Sequence, residues 1–86
     1  MKYQVILEKA AAKFVDKLEK PTQILIRRAL RELEDEPRPY GYKKMVDAGG
    51  LYRIRVGDFR VIYFVQDTKL IITVVRLAKR NERTYW

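Results

Sequence analysis

The stretch Leu51-Tyr52-Arg53-Ile54-Arg55-Val56-Gly57-Asp58-Phe59-Arg60-Val61-Ile62-Tyr63 limits the possible folds more than any other part of the chain. It reads as two short strands joined by a two-residue turn at Gly57-Asp58, because glycine reaches positive φ without steric cost. With that turn, Val56 faces Phe59, Arg55 faces Arg60, Ile54 faces Val61 and Arg53 faces Ile62. Side chains alternate between the two faces of a strand. Tyr52, Ile54, Val56, Phe59, Val61 and Tyr63 therefore share one face, and Arg53, Arg55 and Arg60 share the other. Like charges directly opposite each other destabilise a sheet, by up to ~1 kcal/mol per pair. Such a break in local rules marks a functional site, with an anion from outside as the expected compensation.

The 86 residues suffice for one small domain, 1–86, with no internal repeat or boundary. There is no cysteine and no histidine, so disulfides, thiolate metal sites, the usual general base and the commonest metal ligand are all excluded. The sequence predicts no metal and no cofactor. No signal peptide and no apolar run approaching the ~18 residues of a membrane span is visible. The expectation is a soluble, cytoplasmic protein with no membrane partner. Residues 1–36 hold 8 basic and 7 acidic side chains, whereas residues 37–86 hold 11 and 4. Of the net +8, +7 thus belongs to the C-terminal half, which suggests a polyanion or an acidic protein as partner.

Lys2 to Glu8 alternates as a strand, with Tyr3, Val5 and Leu7 toward the core. Lys9 to Leu18 predicts a helix with Ala11, Phe14, Val15 and Leu18 on one stripe. Pro21 starts a second helix, to about Glu34, burying Leu25 or Ile26 with Ala29, Leu30 and Leu33. Glu32, Glu34, Asp35 and Glu36 crowd its C-terminal end, against the helix dipole. They read either as a counter-surface for the basic sheet or as a frayed end. Pro37 to Tyr42 is a connection, Lys43 to Val46 a brief strand-like segment and Asp47 to Gly50 a turn. After the hairpin, Asp67-Thr68-Lys69 turns the chain into a third strand, Leu70 to Leu77. A two-residue loop there puts Thr73 and Val75 on the arginine face; a three-residue loop puts Ile72, Val74 and Arg76 there. The prediction is an α+β domain: an N-terminal strand, a helical hairpin, then a three-stranded antiparallel meander, with the helices on one face.

The hairpin, together with Val75-Arg76-Leu77-Ala78-Lys79-Arg80 and the Arg83-Thr84-Tyr85 tail, resembles the RelE/ParE superfamily of type II toxins, and more closely the RelE branch. The resemblance covers essentially all 86 residues. It implies a ribosome-dependent endoribonuclease that cuts messenger RNA and is neutralised by a small RelB-like antitoxin. Its partners are therefore the antitoxin, the ribosome and mRNA. Carried over by motif, the catalytic positions are Arg53, Arg55, Arg60, Arg80 and Tyr85, with Lys43, Lys44, Lys79 and Arg83 as RNA-binding positions. Trp86 is expected to anchor the tail on the sheet.

RNA cuts itself when a 2′-hydroxyl attacks the adjacent phosphate. Arginines stabilise the developing charge and grip phosphate in a bidentate way, and a tyrosine stacks on a base. Arg53 and Arg55 stand where the family often has lysine. An arginine, with a pKa above ~12, does not serve as a base. Lys79, Glu82, Tyr85 or positioning by the ribosome are the substitutes, and a weakened nuclease is the expectation. Two other functions fit the same residues. One is a ParE-like inhibitor of DNA gyrase; the other is a non-catalytic module whose basic face holds an acidic antitoxin.

Overall fold

The computed structural model of the protein describes residues 2–45 and 49–79. Within them the chain runs β1 (Gln4–Leu7), α1 (Lys9–Asp16), α2 (Lys20–Asp35), β2 (Lys43–Lys44), β3 (Leu51–Val56), β4 (Phe59–Gln66) and β5 (Ile71–Lys79). The strands form one sheet in the order β1-β5-β4-β3-β2. The α+β class and the meander follow the sequence reading, but the sheet is mixed rather than antiparallel: β1 lies parallel to β5. Backbone bonds fix it there, from Gln4 N–H to the Leu70 carbonyl at 2.8 Å and from Glu8 N–H to the Val74 carbonyl at 3.0 Å.

The core lies between the helices and one face of the sheet. Ala11 and Val15 of α1 and Ile26, Leu30 and Leu33 of α2 pack on Ile54, Val56, Phe59, Val61, Tyr63, Ile72, Val74 and Leu77. Phe14 meets Phe59 edge to face at 6.0 Å. Of the two α2 candidates, Ile26 is fully buried and Leu25 is exposed. The α2 end is not frayed. The Glu34 carbonyl accepts the Tyr3 N–H at 2.8 Å and the Glu32 carbonyl the Glu36 N–H at 3.0 Å, so the residue before β1 and the one after α2 satisfy two of its last carbonyls.

Two details of the third consecutive strand differ from expectation. The turn before it has four residues, 67–70, so β5 begins at Ile71, opposite Gln66. Leu70 takes φ 56°, an uncommon conformation for a branched side chain, where its carbonyl holds β1. The register then slips: Ile62 pairs with Arg76 but Tyr63 with Val74, leaving Val75 as an extra residue. This β-bulge resets the alternation. Thr73 and Arg76 consequently both lie on the arginine side, a combination that neither a two- nor a three-residue loop gives.

Buried Tyr63 donates its hydroxyl to the Pro37 carbonyl at 2.7 Å, across 26 residues of sequence. Burial raises its pKa well above the ordinary phenol value, so it remains a neutral donor. The bond fastens the end of α2 to the centre of the sheet. Tyr63→Phe leaves the Pro37 carbonyl buried and unpaired. Its expected cost is roughly 1–3 kcal/mol, read in urea as a lower midpoint with an unchanged slope.

Candidate nucleic-acid interface

The hairpin geometry places the cations. Gly57 has φ 57° and is the hairpin's residue at positive φ, the pattern of a type II′ turn. A Cβ there would also meet Leu25 Cδ2 at 3.3 Å, a tight contact that the exposed Leu25 side chain can relieve by a small shift, so the positive φ is what calls for glycine. The register that follows pairs Val56 with Phe59, Arg55 with Arg60, Ile54 with Val61 and Arg53 with Ile62. Since Ile54, Val56, Phe59 and Val61 are buried under the helices, Arg53, Arg55 and Arg60 occupy the opposite face.

That face can be read in rows across the strands. Lys43, Arg53, Ile62 and Arg76 form one row; Arg55, Arg60 and Ala78 form the next. Ile62 and Ala78 are buried between these basic residues. The side chains of Arg53 and Arg55 make no hydrogen bond or ion pair with a described residue, whereas Arg60 and Arg76 are engaged in further interactions. β2 ends the pairing of β3 at Arg53, and a groove of about 760 Å³ opens beside the uncovered edge. Arg28, Lys43, Arg53, Arg55 and Arg60 line it, with Glu32 as its carboxylate among the described residues.

Residues 5–84 match the family described as the ParE toxin of type II toxin-antitoxin system, parDE. A putative RelE-like toxin protein from Escherichia coli is 33% identical over 82 residues, covering 94% of this chain and 86% of that protein. The chain belongs to the RelE/ParE superfamily of toxins. The archaeal RelE–RelB complex from Pyrococcus horikoshii OT3 is similar in structure, with a TM-score of 0.83, 32% identity and coverage of 95% of this chain and 99% of that one. The RelBE2 toxin–antitoxin complex from Mycobacterium tuberculosis has the same fold, with a TM-score of 0.84 at 20% identity and 95% coverage of each chain.

Not all of the toxin's sequence-predicted basic positions gather on this face. Lys43 joins Arg53, Arg55 and Arg60. Lys44 pairs with Tyr52 and so points to the other side. Lys79 pairs with Phe59, on the helix-packed side, and borders a hollow with Lys17 and Glu19. The bulge causes this displacement, which separates Lys79 from the arginine face. Arg80, Arg83, Tyr85, Glu82 and Trp86 lie outside the described residues. Sequence reasoning left Arg76 undecided, although its opposition to Ile62 puts it on the basic face. No helix among the described residues is long and apolar enough to cross a membrane, and they contain no cluster of metal-ligating side chains.

Sequence reasoning also missed Arg38, which organises the connection leading to Lys43. Its guanidinium forms two hydrogen bonds to Asp67, at 3.0 and 3.2 Å. Its Nε donates to the Tyr52 hydroxyl at 3.3 Å, and the group lies 5.1 Å from the Tyr52 ring centroid. Tyr3 donates to the same carboxylate at 2.7 Å. The hydrogen bond from Arg38 first, then that from Tyr3, lowers the Asp67 pKa from the ordinary carboxylate value. The Asp67 bond raises the Tyr3 pKa. A carboxylate with a depressed folded-state pKa adds stability above its unfolded pKa and loses it as pH falls through the folded one. The tyrosine adds stability below its unfolded pKa and loses it as pH rises through the folded one. Unfolding of wild type and Asp67→Asn measured across pH is therefore expected to differ most near neutrality. The difference should begin to shrink near the ordinary aspartate pKa of about 4 and vanish as pH falls through the lower folded-state pKa.

Proposed function

We propose that this toxin is a ribosome-dependent endoribonuclease, restrained by a RelB-like antitoxin that covers its basic face. The observation that carries the reading is the register of Arg55 against Arg60, with Arg53 beside them on the same side of the sheet, opposite the helices. Opposite positions on one face hold Cβ atoms ~4.5–5.5 Å apart, close enough for two guanidinium groups to grip one phosphate. The 2′-hydroxyl of the bound strand attacks the adjacent phosphorus, a new P–O bond forms and the 5′-oxygen leaves. Arg55 and Arg60 stabilise the added charge on the phosphoryl oxygens, and Arg53 holds the neighbouring phosphate. With arginine at all three positions, proton removal falls to groups of the ribosome and substrate or to Glu82 and Tyr85. The antitoxin partner is supported by the RelE–RelB assembly of the Pyrococcus horikoshii relative.

A second reading, inhibition of DNA gyrase, is favoured by the match to the ParE description. A supercoiling assay separates it: blocked gyrase with untouched message selects this alternative.

Translation of a defined message with the purified toxin, followed by mapping of 5′ ends, is expected to show new breaks in ribosome-bound message. Arg55 is exposed and has no partner among the described residues, so Arg55→Ala should leave the melting temperature unchanged. It should slow cleavage on the order of 10²–10³-fold. Message left intact on stalled and free ribosomes alike sinks the nuclease reading.

A further inference from the structure

Tyr40 is 107% exposed, beyond even the usual reference for an open side chain, so packing of the folded chain does not account for it. Its backbone is nonetheless held firmly. The Tyr42 N–H bonds to the Pro39 carbonyl at 2.9 Å and Gly41 has φ 91°. This is the pattern of a type II turn, with glycine at the third position as its positive φ requires. Tyr40 is the second residue of that turn.

Both ends of the turn are pinned. Ahead of it, Arg38 is clamped on Asp67, and the Pro37 carbonyl accepts the Tyr63 hydroxyl. Behind it, the Tyr42 ring meets Tyr52 edge to face at 5.6 Å. A tip without such contacts would have its backbone to order on binding, at a cost in conformational entropy, whereas the backbone of this one is braced across the turn and on both flanks. The turn borders the same groove as Lys43, Arg53, Arg55 and Arg60. A rigid turn thus holds an unpacked aromatic ring beside a row of phosphate-binding cations. That pairing of a charged track with an aromatic platform is what single-stranded nucleic acid recognises, since every base has a π-face.

We infer that Tyr40 stacks on a base of the single-stranded RNA whose phosphates lie on Arg53, Arg55 and Arg60. The inference rests on the nuclease reading and adds to it a base-contacting residue outside the arginine cluster. Phosphate contact sets affinity and its salt dependence, and the ring adds a term that requires a base.

The test measures fluorescence anisotropy of the full chain with a single-stranded RNA of about ten nucleotides. Its riboses are 2′-O-methylated, so it cannot be cut by 2′-hydroxyl attack. A second oligomer has the same backbone with abasic sites. Tyr40→Ala is expected to weaken binding of the base-bearing oligomer roughly 5- to 150-fold. Binding of the abasic oligomer, the salt slope and the melting temperature should not change. Tyr40→Trp should restore base-dependent binding. Equal binding of the base-bearing oligomer by wild type and Tyr40→Ala overturns the inference, as does an equal loss on both oligomers. Loss of antitoxin binding with RNA binding intact also overturns it and makes Tyr40 a protein contact. Failure of wild type to bind the free oligomer at low salt overturns the stacking too. The message-cleavage assay decides separately whether the nuclease reading falls with it.

Discussion

Burial on one side of the β3–β4 hairpin positions every charge on the other. Ile54, Val56, Phe59 and Val61 are each at most 9% exposed beneath α1 and α2. Burying side chains of this kind is worth ~1.5–3 kcal/mol apiece, on the order of 6–12 kcal/mol for the four. A slip of one residue in the pairing would turn them to water and the arginines into the core. The like-charge juxtaposition of Arg55 and Arg60 costs at most ~1 kcal/mol. The apolar term therefore dominates, and it is comparable to the roughly 5–15 kcal/mol by which a typical domain is stable at all. The basic cluster is imposed by the core, which is why it can be rigid without attraction between its members.

The β-bulge opposite Ile62 and Tyr63 extends the same logic to β5. Ile72, Val74 and Leu77 are all buried on the helix side, yet 74 and 77 differ by an odd number. Strict alternation cannot bury both. Continued without the bulge, the pairing would turn Arg76 into the core and Leu77 out to solvent. Burying an unpaired guanidinium costs far more than one unpaired backbone residue, so the extra residue at Val75 is the cheaper solution. The consequence for function is an exchange: Arg76 is added to the open face and Lys79 is removed from it.

The hairpin, the helix stripes and the element order were legible because each depends on local periodicity. Gly57-Asp58 fixed one register, and the three-four spacing of Ala11, Phe14, Val15 and Leu18 fixed one helix face. The parallel partnership of β1 was not legible, since it joins residues separated by most of the chain. The four-residue turn was hidden because Leu70, not glycine, adopts positive φ there. The bulge did leave a trace, in the odd spacing of Ile72, Val74 and Leu77. At the interface, alternation was enough to gather Arg53, Arg55 and Arg60. It failed for Lys79, which lies beyond the slip. The role of Arg38 was out of reach, because its partners Tyr52 and Asp67 are distant in sequence and its neighbours read simply as a loop.

Among the described residues, several acids are paired elsewhere than with Arg53 and Arg55, and Glu32 is the carboxylate at the groove. Asp16 pairs with Arg27, Asp35 with Lys2 and Asp67 with Arg38, while Glu36 accepts the Arg38 N–H. None of these carboxylates is spent on Arg53 or Arg55. The two weaker pairs, at 3.8 and 4.0 Å, are exposed and contribute little to stability. What they do is hold negative charge on the helix layer. Exposed charges interact over about 8–10 Å at ordinary salt before screening takes over. Across the thickness of a sheet and a helix layer, acids on the far side do little to cancel the cations on the near one. The sequence can thus hold 11 acidic residues and still present one strongly basic surface to a polyanion.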